Sequence, residues 1–283
     1  ISFMKNPSIT KRRSFIKMIV GAPMLPLGVA GVVSSFGALS AQAANNLEFK
    51  TAEFIPMDAP SLANPEAMSS VTVGSLLEIT TQNNQKKTYK LAYEPFFITG
   101  DMVPDGNGGK VLAGGYVDIH NRPIMDTSAP GKERQFFSDC PDGMSLLKLS
   151  KPAVKNPQGN TVFAVVQFEY TNANLGGQKM YGVLPSQIAV LTLNQNPKTG
   201  KLSLIRYSPV NSSSAQGLWI TCGASLSPWN THLSSEEYEP DAPFAHENPR
   251  FKSFSKNLYG NESSANPYNY GHLPEVTINP DGT

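Results

Sequence analysis

The sequence predicts an all-β protein. From about residue 71 onward, short runs rich in β-branched and aromatic residues alternate with turn signals. The chain is also rich in turn formers, with Gly 23 and Pro 23 among its 283 residues. No stretch beyond residue 43 shows a convincing helical period of apolar positions. Strand meanders with long irregular connections favour a β-sandwich or a β-propeller.

The strand signals follow one another along the chain. They are 71–73, 76–81, 111–119, 161–170, 188–193, 201–207 and 217–221. Residues 161–170 are mostly apolar, which is typical of a strand buried on both faces. The runs 188–193 and 201–207 predict the clearest hairpin, because Pro197 and Gly200 supply a turn between them.

Two connections, 122–145 and 225–272, are too long for simple turns, so we expect them to carry function. Residues 105–109 are expected to form a turn, because a calcium loop would need a Glu at a spacing that is missing here. A propeller blade takes roughly 40–50 residues. The chain beyond residue 43 therefore has room for about three to four blades with insertions.

The first 43 residues predict an export signal. They hold five basic residues and no acidic one, and Ala41-Gln42-Ala43 closes an apolar stretch as a cleavage site. Arg12 and Arg13, followed by Ser14-Phe15-Ile16-Lys17, resemble a twin-arginine signal. We expect the twin-arginine translocase to export the protein to the periplasm or the extracellular space. The uncharged residues 18–47 are long enough to span a membrane, so a membrane anchor is the alternative. The cleavage site favours removal of this segment, which would leave no stable membrane span.

Charge and motif content exclude several classes of protein. Lys+Arg 23 and Asp+Glu 22 give the whole chain a net charge of +1, and the part beyond residue 43 is mildly acidic. A nucleic-acid partner is therefore not expected. No Walker loop, G-x-G-x-x-G or G-x-S-x-G motif occurs, which argues against nucleotide use and serine hydrolase chemistry. Two cysteines are too few for a disulfide scaffold.

One segment carries the residue types of a metal site. Five acidic residues fall within 12 positions, close to Cys222, Trp229 and His232; they are Glu236, Glu237, Glu239, Asp241 and Glu247. Carboxylates suit Ca²⁺ or Fe³⁺ and a thiolate suits softer transition metals, so a site with both would hold a mixed or redox-type metal. A solvated acidic loop is the simpler alternative. Cys222 has two alternative roles: it could be a small apolar residue of the core, or it could form a disulfide bond with Cys140.

The run C-x5-P-W-x-T-x-L-x-x-E-E resembles a signature of the PhoX-type alkaline phosphatases, a twin-arginine-exported family of calcium-dependent β-propellers. The matching residues are Cys222, Pro228, Trp229, Thr231, Leu233, Glu236 and Glu237. Two further stretches resemble the family, at Asp142-Gly143-Met144 and Glu169-Tyr170-Thr171. The chain departs from the family pattern at three places: Gln167-Phe168 replaces Asn-His, Ser235 replaces Cys, and Tyr238 replaces Asn.

The resemblance implies a fold and a domain organisation. The fold is a β-propeller, six-bladed in the full-length protein. Residues 1–43 are the signal peptide, and residues 44–283 form the truncated N-terminal part of the propeller. The start at Ile1 and the end in a turn signal agree with such a fragment. We expect the fragment alone to be inactive, with further metal ligands beyond Thr283.

The resemblance also implies chemistry. Family members bind iron and calcium bridged by oxide, which implies Fe³⁺ and Ca²⁺ here and hydrolysis of small phosphate monoesters. The implied metal ligands are Cys222, Glu236 and Glu237. Trp229, Asn230 and Thr231 are expected to form the wall of the site or to contact the substrate. No catalytic residue is assigned.

Two other functions stay open. One is a non-catalytic periplasmic propeller that uses calcium only for folding and serves as a binding module. The other is a propeller hydrolase of another kind, such as a lactonase. Cys222 distinguishes the phosphatase from these two alternatives, because a site for calcium alone does not need a thiolate ligand. We expect His120, His246 and His272 to be structural or on the surface, and Asp142 to be a turn former.

Overall fold

A computed structural model of the chain describes residues 49–58, 63, 74–154 and 159–283. The predicted signal peptide at 1–43, with Arg12 and Arg13, lies outside the described residues. All strand pairs in the described part of the chain are antiparallel. Together with the low helix content, this pairing confirms the all-β prediction. Within the same part of the chain, every helix is too short or too polar to cross a membrane.

The chain divides into two compact units, Ile1–Tyr93 and Glu94–Thr283. The described part of the first unit is a three-stranded sheet in the order β1-β2-β3. Its strands are β1 (Phe49–Ile55), β2 (Leu76–Thr81) and β3 (Lys86–Lys90). The strand predicted at 76–81 is confirmed, whereas the one predicted at 71–73 lies outside the described residues.

The second unit contains two short hairpins and two larger sheets. The hairpins are β4 (Met102–Pro104) with β5 (Lys110–Leu112), and β6 (Met125–Asp126) with β7 (Arg134–Gln135). The main sheet consists of β8 (Cys140–Leu147), β9 (Asn160–Tyr170), β10 (Gln187–Gln195) and β11 (Leu202–Pro209), in the order β11-β10-β9-β8. The second sheet consists of β12 (Thr221–Leu226), β13 (His232–Glu236) and β14 (Glu275–Val276).

The main sheet is covered on both faces. Side chains alternate along a strand, so β9 and β10 contribute to two separate clusters of apolar residues. Phe163 packs with Val190 in one cluster, and Phe168 packs with Leu191 in the other. The apolar run at 161–170 is therefore the doubly buried strand that its composition predicts. The predicted hairpin is confirmed as β10 and β11.

Two predicted strands are wrong in extent. The run at 111–119 ends as a strand at Leu112, because Gly114 adopts a positive φ of 70° and turns the chain. The run at 217–221 becomes a strand only at Thr221, because Gly217 (φ 81°) and Ile220 (φ 35°) both leave the extended region.

The expectation that no helix lies beyond residue 43 is wrong. Helix α1 (Pro249–Tyr259) begins at an Asn248 cap whose side chain accepts a hydrogen bond from the backbone N–H of Arg250. Only three apolar residues of the helix are buried, Phe251, Phe254 and Leu258, and most of its other residues are polar. This narrow stripe is easily missed in a sequence. Three short 3-10 helices complete the described elements, at Ser213–Ala215, Ala242–Glu247 and Pro267–Asn269.

Candidate metal site

Three side chains of the second unit converge on one point. The carboxylates of Asp142 and Glu169 and the sulfur of Cys222 offer ligand atoms that all lie within 4.8 Å of one another. Asp142 is exposed, whereas Glu169 and Cys222 are half-buried. Glu237 adjoins the cluster closely enough to act on the pKa values of Glu169 and Cys222. We call these four residues the acidic cluster.

A β-bulge brings Asp142 to the cluster. Pro141 pairs with Phe168 and Met144 pairs with Val166, so Asp142 and Gly143 of β8 lie opposite the single residue Gln167 of β9. Such a bulge bends the strand and redirects a side chain that regular alternation would aim elsewhere.

Glu169 and Cys222 also lie at irregular pairings. Glu169 is the extra residue of β9 between the pairs that Tyr170 and Phe168 make with β8. In the second sheet, Cys222 and Gly223 of β12 together oppose Ser235 of β13. All three converging side chains thus belong to positions where a strand carries one residue more than its partner. Bulges of this kind are frequent beside functional sites.

Close packing at Gly143 brings the two sheets together. A Cβ on this residue would lie 2.6 Å from the Cβ of Ala224, 2.6 Å from the carbonyl oxygen of Cys222 and 2.6 Å from Nε2 of Gln167. Contacts so short exclude any side chain at this position. The glycine therefore allows β8 to lie directly against β12, which places Asp142 beside Cys222.

Burial and mutual repulsion raise the pKa values of Glu169 and Cys222. Burial raises the pKa of Glu169 to about 7, and the charges of Asp142 and Glu237 add to this effect. Burial likewise raises the pKa of the Cys222 thiol to about 12, with further contributions from Asp142 and Glu237. In the absence of a cation, the cluster therefore holds protons that a bound cation would displace.

Tyr181 and Arg250 border the cluster. The Tyr181 hydroxyl donates a hydrogen bond to Oε1 of Glu237 at 3.0 Å. Burial, followed by the Glu237 contact, raises the pKa of this phenol well above its usual range. The guanidinium of Arg250 lies over the Tyr181 ring, 5.0 Å from its centroid. Within the described residues Arg250 forms no salt bridge, so no carboxylate there pairs with its charge.

The structure separates the two neighbouring glutamates. Glu237 belongs to the acidic cluster, but the Glu236 carboxylate accepts hydrogen bonds from three backbone N–H groups: Trp219 at 2.7 Å, Gly271 at 2.7 Å and His272 at 3.1 Å. Burial raises the pKa of Glu236, and these hydrogen bonds oppose that rise. Glu236, expected as a metal ligand, is held instead as an anchor between loops.

The expected substrate contacts also lie elsewhere. Trp229, Asn230 and Thr231 form the turn between β12 and β13, at the end of the hairpin opposite Cys222. The four residue steps from Cys222 to Leu226 span about 13 Å at the rise of an extended strand. Trp229 and Thr231 both donate hydrogen bonds to Glu275, and Asn230 donates to the carbonyl oxygen of Lys148 at 3.0 Å. The structure does not bring these three residues to the cluster.

Both cysteines are free. Cys140 pairs with Tyr170 across β8 and β9, and burial raises the pKa of its thiol. His120, His246 and His272 are exposed, as expected. His232 differs from them because it is completely buried, and burial lowers the pKa of its imidazole to about 4.

Sequence reasoning singled out Cys222 and Glu237, but treated Asp142 as a turn former and gave Glu169 no role of its own. Both missed residues lie in stretches that carry the resemblance, Asp142-Gly143-Met144 and Glu169-Tyr170-Thr171. That coincidence was the available signal.

Fold and site together define an antiparallel β protein with a mixed thiol and carboxyl cluster at the junction of two sheets. No protein-family model, no curated protein and no solved structure matches the chain.

Proposed function

We propose that this chain is part of an exported, metal-dependent phosphatase of the PhoX type, which hydrolyses phosphate monoesters. The observation that carries the proposal is the convergence of Asp142, Glu169 and Cys222, with their ligand atoms within 4.8 Å of one another. This convergence unites the three stretches on which the sequence resemblance rests.

The donor set fits a mixed iron and calcium centre. A thiolate is a good ligand for iron, and carboxylates suit both Fe³⁺ and Ca²⁺. Burial, and then the neighbouring acidic groups, raise the pKa values of Glu169 and Cys222, as expected for a half-buried cluster of acidic groups without a cation. Asp142, Glu169, Cys222 and Glu237 would hold the metals. Glu236 is not included, because three backbone N–H groups occupy its carboxylate.

Metal ions at this place would offset the charge of a phosphate monoester and polarise its P–O bonds. The chain's own residues would supply the rest of the site. Tyr181 orients Glu237 through its 3.0 Å hydrogen bond. Arg250, held over the Tyr181 ring, carries the cation that would bind the phosphate oxygens, since a guanidinium matches them with two parallel N–H donors.

We further propose that the two larger sheets are blades of a β-propeller. The main sheet is a four-stranded meander in which consecutive strands are neighbours, which is the strand order of a propeller blade. The second sheet has the same consecutive order over three strands. On this view the acidic cluster lies where two adjacent blades meet.

The test is hydrolysis of p-nitrophenyl phosphate by the natural protein at alkaline pH, with and without a chelator. We expect turnover that is lost on chelation and returns with calcium. Cys222→Ser should abolish turnover, whereas Cys140→Ser, the matched substitution of the other free cysteine, should leave it unchanged. Full turnover in Cys222→Ser would contradict the proposal. Hydrolysis of lactones without phosphate esters would favour the lactonase alternative, and a folded protein that binds calcium without turnover would favour the binding module.

A further inference from the structure

Three completely or almost completely buried polar side chains lie directly behind the acidic cluster. They are Ser145 on β8, Gln167 on β9 and His232 on β13, with exposed fractions of 4%, 0% and 0%. His232 Nδ1 lies 2.9 Å from the Ser145 hydroxyl, and its Nε2 lies 3.1 Å from Oε1 of Gln167. We call these three residues the His232 relay.

The relay ends on the backbone of Cys222. Nε2 of Gln167 donates a hydrogen bond to the carbonyl oxygen of Cys222 and lies 3.5 Å from that of Gly223. Because the Gln167 amide donates there, its oxygen faces His232. This polarity requires the proton on Nε2 of His232 and leaves Nδ1 to accept from the Ser145 hydroxyl. Every member of the relay therefore has a satisfied partner.

The relay connects the strands that carry the ligand candidates. Ser145 follows Asp142 by three residues on β8, and Gln167 precedes Glu169 by two residues on β9. Its last hydrogen bond fixes Cys222 itself on β12. Gln167 is also the residue opposite the Asp142-Gly143 bulge. One chain of hydrogen bonds thus spans all three bulges that form the acidic cluster.

We propose that the His232 relay is a positioning device, which fixes the spacing of the three ligand candidates before a metal binds; this inference rests on the proposed metal function. Bulged strands lack some of the ladder hydrogen bonds that would otherwise fix their relative positions. The relay replaces them with directional contacts in a buried setting, where an unmade hydrogen bond is costly. The Gln167 side chain reaches the Cys222 carbonyl from the neighbouring sheet, so it fixes the sulfur through the backbone.

The test compares two buried glutamines of the main sheet. Gln167→Met keeps the length of the side chain and removes both relay hydrogen bonds. Gln187→Met is the matched control, because Gln187 is 5% exposed and donates to the backbone oxygens of Pro185 at 3.0 Å and Val117 at 3.4 Å, outside the relay. Both variants lose buried hydrogen bonds, but only the first disturbs the acidic cluster.

The first readout is the affinity for Co²⁺, measured through the thiolate-to-cobalt charge-transfer band. We expect Gln167→Met to weaken Co²⁺ binding by about 10- to 100-fold, as for other residues that orient metal ligands, and to weaken the band. Gln187→Met should keep the wild-type affinity and band even where it lowers thermal stability. His232→Gln should retain more Co²⁺ affinity than His232→Leu, because an amide N–H can replace the Nε2–H donor to Gln167.

The second readout needs no metal. In a Cys140→Ser background, we expect Gln167→Met to change the rate of Cys222 alkylation by iodoacetamide several-fold, whereas Gln187→Met should not. Wild-type cobalt affinity and wild-type alkylation in Gln167→Met would overturn the inference, as would equal changes in both glutamine variants. If the unsubstituted natural protein binds no Co²⁺, the proposed metal function fails, and the alkylation rates alone decide whether the relay positions Cys222.

Discussion

Gly143 lies so close to Cys222 that a Cβ on the glycine would come within 2.6 Å of the cysteine's carbonyl oxygen. This approach joins the main sheet to the second sheet at the acidic cluster. Because backbone atoms meet there, the contact cannot relax by a change of rotamer. It makes the glycine a structural requirement of the site.

Gly143→Ala should therefore destabilise the chain by about 1–3 kcal/mol, the usual cost of overpacking, and weaken Co²⁺ binding. Gly223→Ala is the matched control, because its Cβ would have its nearest neighbour at an ordinary 3.5 Å, the Ser235 hydroxyl. Urea unfolding and cobalt titration of both variants check this prediction. Equal tolerance of the two substitutions would show that the sheets do not meet as described.

Substitutions of Glu236 and Glu237 should have different effects, the first on the free energy of unfolding and the second on metal affinity. Glu236→Gln removes a charged acceptor from three backbone N–H groups and should cost about 1–3 kcal/mol of unfolding free energy, with metal affinity nearly unchanged. Glu237→Gln should weaken metal binding with a smaller effect on stability. Urea melts and metal titrations of the pair measure both effects. The opposite result, with metal binding lost in Glu236→Gln, would restore Glu236 as a ligand.

The pKa of Glu169 predicts how stability depends on pH without metal. Burial and the neighbouring carboxylates raise this pKa from 4.5 to about 7 in the folded chain, so the folded state binds the proton more tightly than the unfolded state does. The resulting stabilisation is fully present below pH 4.5 and is lost as the pH rises through 7. With a chelator present, the thermal midpoint of the wild type should fall over this range relative to Glu169→Gln. A parallel pH dependence of the two proteins would contradict the prediction.

Metal affinity should depend on pH in the opposite direction to the stability of the metal-free chain, and should increase as the pH rises. Glu169 and Cys222 must lose their protons to bind a cation, and both have raised pKa values. The dissociation constant for Co²⁺ should therefore decrease as the pH rises from acid to alkaline values, with protons released on binding. Titrations in buffers of different ionisation enthalpy would count the released protons. A dissociation constant independent of pH would mean that neither group is a ligand.

Arg250 should contribute to phosphate binding. Its guanidinium lies over the Tyr181 ring, and a hydrogen bond to a charged group contributes about 1.5–3 kcal/mol, so Arg250→Ala should weaken inorganic phosphate binding by about tenfold or more. Lys252→Ala, on the same helix, is the matched control and should have little effect. Phosphate titration of the metal-loaded protein measures both. Equal phosphate affinity in the two variants would show that Arg250 does not contact the phosphate.

Parts of this fold were predictable because local composition determines them. The apolar run of β9 and the hairpin of β10 and β11 follow directly from residue type and turn chemistry. The extent of β5 and β12 was not predictable, because it depends on positive φ at Gly114 and Ile220. Helix α1 was missed because only a narrow stripe of its surface is apolar.

The site was only partly predictable for a related reason. Cys222 and Glu237 stand out in the sequence, but the roles of Asp142 and Glu169 depend on strand register, which a bulge shifts by one residue. The separation of Glu236 from Glu237 was foreseeable, because neighbouring residues in extended chain point to opposite faces.

We propose that Cys222 and the converging carboxylates bind a mixed iron and calcium centre. Elemental analysis of protein purified without chelator, on the wild type, Cys222→Ser and Cys140→Ser, tests this proposal without relying on turnover. We expect iron together with calcium in the wild type and in Cys140→Ser, and loss of iron from a folded Cys222→Ser. Calcium without iron in the wild type, or unchanged iron in Cys222→Ser, would show that Cys222 does not bind iron.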